Sequence, residues 1–392
     1  MTTTQVGTGL ARLLSGSRPD FARAKLGLIT HPASVTPDLI AAEDALIASG
    51  FNVVALFGPQ HGIRGEKQDN MVESASFMHP RLRIPAYSLY GEVRKPSREM
   101  LRDIEVMLFD LQDVGVRIYT FVWTMILAME ACCDAGIRFV VLDRPNPING
   151  MTREGPLLRP GFESFVGLHP IPLRHGLTAG EIARLANDHF SIGCELDVVP
   201  CEGWSRNQWY DHTGLPFVMP SPNLPTMDSC TVYPGMVLLE GTNLSEGRGT
   251  TRPFEVFGAP YLDAYQLATE LNRLSLSGAA FRACQFEPTF QKHAGQLCGG
   301  AQLYVLDRSA FQPVETAVSI LSIVRRLAPN EFAWRQPPYE YENEKMPIDI
   351  LWGSDTLRIG IDSHSAPDDI LAPTSLEIDE FNDLVESYQL YN

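Results

Sequence analysis

The chain has 392 residues, of which 44% are hydrophobic and 20% are charged, and it carries a net charge of −16 at pH 7. These are the values of a folded globular protein, and the length favours two domains over one. The negative charge and the absence of a clustered basic segment argue against nucleic acid as a partner.

The seven cysteines and the hydropathy pattern bear on location. The cysteines are odd in number and none has C-x-x-C spacing, which predicts reduced thiols and a reducing compartment. No run of eighteen apolar residues is present, and MTTTQVGTGLARLLSG lacks the segments of a signal peptide. We therefore expect a cytoplasmic protein that does not bind membranes, although an exported protein trimmed of its signal would show the same pattern. The sequence leaves the oligomeric state open.

Strand and helix patterns alternate from residue 25 to residue 220, which predicts βαβ units and a parallel, doubly wound sheet. The expected strands are Lys25–Thr30, Asn52–Phe57, Ala86–Tyr90, Val106–Asp110, Phe139–Asp143 and Glu195–Val199. The expected helices are Pro37–Ser49, Ser97–Asp103, Tyr119–Ala135 and Thr178–Phe190. The first strand–helix turn lacks G-x-G-x-x-G and no P-loop occurs, so the Rossmann-like pattern implies no nucleotide cofactor.

Residues 203–235 are rich in Trp, Pro, Asn and Gly, which predicts a long ordered loop or a crossover between domains. We therefore expect a Rossmann-like N-terminal domain over residues 1–225 and a smaller α/β domain over residues 226–392. The elements expected in the second domain are helices at Tyr261–Leu276, Val314–Leu327 and Glu377–Tyr391 and strands near Phe281–Glu287 and Ala301–Leu306.

Three of the predicted strands end in polar side chains. The strand Asn52–Phe57 leads into FGPQHGIRGEKQDN. The strand Val106–Asp110 continues LQDVGVRIY, and the strand Phe139–Asp143 continues RPNP. A single aspartate at a strand end is most simply an N-cap. Three polar strand ends at one edge of a parallel sheet indicate a binding site, because ligands bind outside the carboxyl ends of the strands.

A fourth polar segment, EGTNLSEGRGTTRP, begins at Glu240. Its glycines allow the backbone to approach a ligand closely, and its carboxylates, guanidinium groups and hydroxyls suit recognition of a sugar or a carboxylate. A mobile surface loop would have the same composition, and the residues alone leave these two interpretations open.

The motifs FGPQHGIRG, SLYGEVRKPS, FDLQDVGVRIYT, VLDRPNPING and GTNLSEGRGTTRPF resemble those of the exo-β-N-acetylmuramidase (NamZ-type) family, long catalogued as a domain of unknown function. The resemblance runs from about Lys25 to the C-terminus. It implies a Rossmann-like domain, a smaller C-terminal domain and a cleft between them. The implied activity is release of N-acetylmuramic acid from the non-reducing end of peptidoglycan fragments, without a metal or an organic cofactor. The implied partner is a small saccharide or a muropeptide.

Glycoside hydrolysis commonly uses two carboxyl groups, one as an acid and one as a base or nucleophile. Relatives in this family resemble FGPEHG, with a glutamate thought essential, where this chain has Gln60, which cannot titrate. Either a nearby carboxylate, such as Glu66, then carries the chemistry, or the chemistry differs, or catalysis is lost and the protein is a non-catalytic sugar-acid binding or sensing protein. The candidate catalytic residues are Glu66, Glu246, His61 and Asp110.

The remaining polar residues of the motifs are candidates for substrate binding, with the arginines as forks for the lactyl carboxylate of muramic acid. His61 is either an acid–base group or a histidine bonded to its own turn, and Tyr119 either lines the pocket or packs on the sheet. The substrate-binding candidates are Gln60, Arg64, Gln112, Asp113, Arg117, Tyr119, Asp143, Arg144, Asn146, Asn243, Arg248 and Thr250.

Overall fold

A computed structural model describes residues 5–16, 19–68 and 72–392. The strands, numbered in chain order, are β1 Lys25–Ile29, β2 Asn52–Gly58, β3 Phe77–Met78, β4 Pro85–Ser88, β5 Val106–Phe109, β6 Arg138–Leu142, β7 Glu154–Leu157, β8 Pro172–Arg174, β9 Leu196–Val199, β10 Val256–Ala259, β11 Ala279–Phe286 and β12 Cys298–Val305. The helices are α1 Gly9–Ser15, α2 Ala42–Ala48, α3 Arg98–Leu101, α4 Phe121–Ala135, α5 Ala179–Asp188, α6 Met227–Met236, α7 Ala264–Arg273, α8 Pro313–Leu327, α9 Pro347–Trp352, α10 Thr356–Asp362 and α11 Pro367–Val385. Asp69 in the first polar segment lies outside the described residues.

Seven strands form the central sheet in the order β3-β4-β2-β1-β5-β6-β9. All neighbours pair in parallel except β3 and β4. From β1 the chain adds β2 and β4 on one side and then β5, β6 and β9 on the other, so the winding direction reverses between β1 and β5. The predicted α/β class with a doubly wound parallel sheet is confirmed.

A smaller sheet of β10, β12 and β11 is antiparallel throughout. It packs with α7, and α7 in turn contacts α8. Strands β7 and β8 form a separate antiparallel pair. The chain is therefore a large parallel α/β unit followed by a smaller α/β unit, as the sequence predicts.

Both faces of the large sheet are covered by apolar side chains. Ile29, Phe57 and Phe109 belong to a core cluster that extends into the smaller unit. The residues before them, Leu28 and Leu56 among them, belong to a second cluster on the opposite face. Successive strand residues point to opposite faces, so continuously apolar strands are what a sheet buried on both sides requires.

Helix α5 begins where the sequence predicts. Thr178 accepts a hydrogen bond from the backbone N–H of Glu181, and the Glu181 side chain accepts one from Thr178, which completes a capping box. The last helix is different, because α11 starts at Pro367, ten residues before the predicted start at Glu377. Proline has no backbone N–H, but the N–H groups of the first turn of a helix have no partner within the helix. Pro367 can therefore be the first residue of α11.

The predicted long loop at residues 203–235 also contains a helix, α6, which the sequence analysis missed. Pro234 and Gly235 lie inside it and disfavour a helix by local propensity. Packing on α8 overrides that preference, because a Cβ on Gly235 would lie 1.8 Å from the carbonyl oxygen of Pro313. Within the part of the chain that the structure describes, no helix is long and apolar enough to cross a membrane.

Candidate functional site

A cavity lies where loops of both units meet beyond the carboxyl ends of β2 and β5. It has a volume of about 30 Å³, the room of a water molecule, and we call it the site cavity. It is lined by Gln60, His61, Ile118, Tyr119, Val166, Ser221, Leu224, Tyr233, Glu240, Arg248, Phe254, Tyr339 and Glu340. Two carboxyl groups, one guanidinium group, an imidazole and several hydroxyls therefore face one small space.

Glu340 is almost completely buried in the loop between α8 and α9, with 3% of its surface exposed. The Tyr90 hydroxyl donates a hydrogen bond to Oε2 over 2.8 Å, and Gln60 Nε2 lies 3.5 Å from Oε1. Burial and the nearby charge of Glu240 raise the pKa of Glu340 to about 7, against the opposing effects of Tyr90 and two arginines. This carboxyl group is protonated in a large fraction of molecules at neutral pH.

The backbone around Glu340 is unusual. Glu340 and Tyr341 both have positive φ angles, 45° and 68°. Residues other than glycine rarely adopt positive φ angles, and those that are held there concentrate at functional sites. The Tyr341 ring lies under the guanidinium of Arg94, 3.4 Å from the ring centroid, which fixes the loop against the end of the large sheet.

Glu240, the second carboxyl group, has a different environment. It lies in a short 3₁₀ turn, Val237–Gly241, directly after α6. Arg248 Nη2 donates to its Oε1 over 2.5 Å and the Tyr339 hydroxyl to its Oε2 over 2.8 Å. Glu240 is therefore paired with a guanidinium group and a phenol hydroxyl. The site cavity therefore places a cation-paired carboxylate beside a carboxyl group that can hold a proton.

Arg248 comes from the glycine-spaced segment, which is ordered here. Gly247 and Gly249 on either side have φ near 80°, and a Cβ on Gly247 would lie 2.4 Å from the Val256 carbonyl oxygen. Within the described residues, the buried Nη1 atom of Arg248 has no hydrogen-bond partner. A residue that lines the cavity thus has a guanidinium nitrogen without a hydrogen-bond partner.

Gln60 is held at both ends of its side-chain amide. Its oxygen accepts a hydrogen bond from the Thr120 hydroxyl over 2.8 Å, and its nitrogen donates to the Tyr90 hydroxyl over 3.1 Å. Because Tyr90 donates onward to Glu340, the four residues form one directed chain of hydrogen bonds.

His61 lines the cavity, as expected of an acid–base group, and is also bonded to its own turn. Nδ1 contacts the carbonyl oxygen of Lys67 over 2.8 Å, so it carries the proton, and Nε2 then accepts from the Ser221 hydroxyl over 3.1 Å. Burial, together with the charge of Arg248, lowers the pKa of His61 to about 4, despite the Lys67 carbonyl. His61 lines the cavity as a neutral imidazole bonded to its own turn.

The other three catalytic candidates lie outside the residues that line the site cavity. Glu66 is exposed on the turn after β2. Glu246 is buried and forms ion pairs with Lys292 and with Arg248, at 2.8 and 3.1 Å. Asp110 is completely buried and accepts two hydrogen bonds from Arg144, at 2.6 and 2.9 Å.

The polar residues after β5 and β6 mostly hold loops together. Arg117 donates to the carbonyl oxygens of residues 156, 171, 351 and 352. Asp143 accepts from Thr178, from Tyr391 and from the backbone of residue 180, and burial raises its pKa to about 6. These groups join the sheet edge to the segments that pack on it.

The smaller polar candidates make similar contacts. Gln112 donates to the carbonyl oxygens of residues 113 and 145, and Asn146 donates to that of residue 177. Asp113 accepts from the backbone N–H of residue 115, and its Oδ2 lies 3.3 Å from His175. Asp113 Oδ1 has no hydrogen-bond partner within the described residues.

In the second unit and on the surface, Asn243 accepts from the Tyr261 hydroxyl and Thr250 donates to the carbonyl oxygen of residue 247. Arg64 is exposed and its guanidinium lies 4.5 Å from the centroid of the Phe77 ring. Of the residues predicted from the sequence, Gln60, His61, Tyr119 and Arg248 line the site cavity, and the others do not.

Two carboxyl groups of the cavity were missed by the sequence analysis. Glu240 opens the glycine-spaced segment but was not singled out there, although a carboxylate eight residues before Arg248 was visible. Glu340 lies in PPYEYENEK, a proline-rich stretch far from the other motifs. The one feature of the sequence that could have pointed to Glu340 is its two flanking tyrosines, whose rings are apolar enough to be buried.

Comparisons with known proteins agree on one family. Residues 26–228 match the family model described as exo-beta-N-acetylmuramidase NamZ, N-terminal, and residues 231–391 match its C-terminal counterpart. The chain is 44% identical over 388 residues, 99% of its length, to the peptidoglycan beta-N-acetylmuramidase NamZ of Bacillus subtilis (strain 168), of which 92% is covered.

Two crystal structures of DUF1343 family proteins from Bacteroides fragilis NCTC 9343 have similar folds. One superimposes with a TM-score of 0.88 at 33% sequence identity, and the other with a TM-score of 0.77 at 27% identity. Each comparison covers 99% of both chains.

Proposed function

Because the chain belongs to the exo-β-N-acetylmuramidase NamZ family, we propose that it is a glycoside hydrolase that releases N-acetylmuramic acid, or a related amino sugar, from the non-reducing end of peptidoglycan fragments. Its substrate is a small saccharide or muropeptide, and its role is cell-wall turnover. The seven cysteines, all within the described residues, are unpaired, which supports a reducing compartment such as the cytoplasm.

One observation carries the proposal: Glu240 and Glu340 line the same buried cavity in different environments. Hydrolysis of a glycoside needs one carboxyl group that is protonated and one that is charged, and enzymes obtain the pair by giving each its own surroundings. Glu240 is bound to the Arg248 guanidinium, whereas burial raises the pKa of Glu340 to about 7.

The unpartnered Nη1 of Arg248 supports an acidic sugar as the substrate. N-acetylmuramic acid differs from N-acetylglucosamine by a lactyl ether, whose carboxylate needs a buried cationic donor. Guanidinium groups form strong hydrogen bonds with carboxylates.

The test compares two chromogenic substrates with the same aglycone, an N-acetyl-β-muramide and an N-acetyl-β-glucosaminide. We expect release of the aglycone from the muramide in clear preference to the glucosaminide. Calorimetry with free N-acetylmuramic acid separates binding from turnover. Binding without release of aglycone from either substrate would instead show a non-catalytic sugar-acid binding protein, the alternative that Gln60 leaves open.

A further inference from the structure

Glu340 and its neighbours suggest how the site works without a titratable group at position 60. Resting on the hydrolase function proposed above, we propose that Glu340 is the general acid of the site cavity and that Gln60 and Tyr90 position its carboxyl group. The structure puts Glu340 Oε1, from a residue 280 positions further along the chain, 3.5 Å from the side-chain nitrogen of Gln60.

The first argument is geometric. Glu340 Oε2 is fixed by the Tyr90 hydroxyl, and Tyr90 is completely buried. Gln60 is anchored by Thr120 and directs its amide nitrogen at both Tyr90 and Glu340. A carboxyl group held from two sides in a buried cavity meets the need of a general acid for a fixed position near the proton acceptor.

The second argument concerns backbone strain. Glu340 and Tyr341 are held at positive φ, a backbone conformation that is strained for residues other than glycine. Tertiary contacts maintain this conformation, namely the Arg94 guanidinium over the Tyr341 ring and the hydrogen bond from Tyr339 to Glu240. These contacts hold Glu340 at the wall of the site cavity.

The third argument is electrostatic and concerns the groups that face Glu340. They are the Tyr90 hydroxyl, the Glu240 carboxylate and the guanidinium groups of Arg248 and Arg94. Burial and Glu240 favour the protonated form, and the other three favour the charged form, with a resulting pKa of about 7. His61, on the same cavity, has its pKa lowered to about 4, so it is a neutral imidazole at neutral pH, and its one N–H is bound to the Lys67 carbonyl oxygen.

In the proposed step, the carboxyl proton of Glu340 moves to the glycosidic oxygen. The bond from that oxygen to C1 of the amino sugar breaks, and its electron pair stays on the oxygen, which leaves as a hydroxyl of the aglycone. Water adds to C1, and the proton that it loses returns to the Glu340 carboxylate directly or through solvent. One water is consumed and no oxidant or metal takes part in this step.

The experiment uses two substrates whose leaving groups differ in their need for a proton. The disaccharide N-acetylmuramyl-β-1,4-N-acetylglucosamine needs protonation of its leaving oxygen, whereas a 2,4-dinitrophenyl N-acetyl-β-muramide does not. We expect Glu340→Gln to lower kcat/KM for the disaccharide by at least about a hundredfold, the usual contribution of acid catalysis, and by much less for the dinitrophenyl compound.

The control is Glu344→Gln, an exposed carboxylate four residues further along the same loop, which is expected to behave as the parent on both substrates. Calorimetric binding of N-acetylmuramic acid checks that each variant is folded. If Glu340→Gln does not fold, Glu340→Asp, which withdraws the carboxyl group by one methylene, is expected to show the same contrast between substrates.

Equal losses on the two substrates, or no loss on either, would overturn the assignment of Glu340 while the hydrolase function stands. A parent protein that cleaves neither substrate would overturn the hydrolase function itself. Whether the parent enzyme cleaves the substrates therefore distinguishes the two failures.

Discussion

The Tyr90 hydroxyl donates a hydrogen bond of 2.8 Å to Glu340, a residue 250 positions further along the chain. Tyr90 follows β4 at the carboxyl edge of the large sheet, and Glu340 lies in the loop that precedes α9. This contact joins the edge of the large sheet to a residue that lines the site cavity. It also predicts how the pH dependence of the reaction responds to substitution.

Tyr90→Phe removes a donor that stabilises the charged form of Glu340. The pKa of Glu340 then rises above its present value of about 7, and activity, which requires the protonated acid, persists to higher pH. A hydrogen bond to a charged group contributes about 1.5–3 kcal/mol, so we expect the basic limb of kcat/KM against pH to move up by about one to two units.

The control for this change is Tyr87→Phe, because Tyr87 lies in β4 and packs its ring on Phe57. We expect its pH profile to match that of the parent. A basic limb that stays in place in Tyr90→Phe would mean that a group other than Glu340 gives rise to it.

Gln60→Glu places a second carboxyl group beside Glu340. Two carboxylates in one buried site raise each other's pKa, so the pair retains a proton to higher pH. We expect activity at pH 7 equal to or below that of the parent, with the basic limb shifted upward. Gln68→Glu, which adds the same charge at an exposed position of the same turn, is the control. Activity that appears in Gln60→Glu from an inert parent would show instead that Gln60 marks the decay of an ancestral enzyme.

Asp110→Asn tests the buried ion pair at the sheet edge. The change leaves Arg144 charged, buried and without its carboxylate, which costs on the order of 3–5 kcal/mol of folding free energy. Urea unfolding measures the loss, and Asp103→Asn, at a carboxylate with 76% of its side chain exposed, is the control with little expected effect. A stable Asp110→Asn protein with a low kcat would return Asp110 to the catalytic candidates.

Two buried histidines predict sensitivity to acid. Burial, with the charge of His61, lowers the pKa of His31 to about 3, and burial with the charge of Arg248 lowers that of His61 to about 4, from an ordinary value of 6.5. Because the unfolded chain binds these protons first, their contribution to stability is complete above pH 6.5 and is lost as the pH falls towards 4.

Each histidine accounts for up to about 1.4 kcal/mol per pH unit in that window. We expect His31→Gln to reduce the dependence of the unfolding free energy on pH between 6.5 and 4, measured in urea. The exposed His364, replaced in the same way, is expected to leave it unchanged. An unchanged slope in His31→Gln would show that this ring is already protonated in the folded protein.

Local sequence determined the elements of the large sheet and one side of the site. When apolar runs of four to seven residues alternate with helical segments, the stable arrangement is a parallel sheet that is covered on both faces. The polar turn after β2 is visible as polar residues that follow an apolar run, so the sequence alone makes Gln60 and His61 candidates. The glycine-spaced segment identified Arg248 in the same way.

Tertiary structure decided which charged groups neutralise one another and which face the cavity. Asp110, Glu246 and Glu340 are all carboxylates, and the sequence does not show which of them meets a cation and which meets a hydroxyl. Asp110 meets Arg144 and Glu246 meets Lys292, whereas Glu340 meets Tyr90. These pairings join residues 34, 46 and 250 positions apart, and Coulombic and hydrogen-bond energies depend on distances of a few ångströms that only the packed chain establishes.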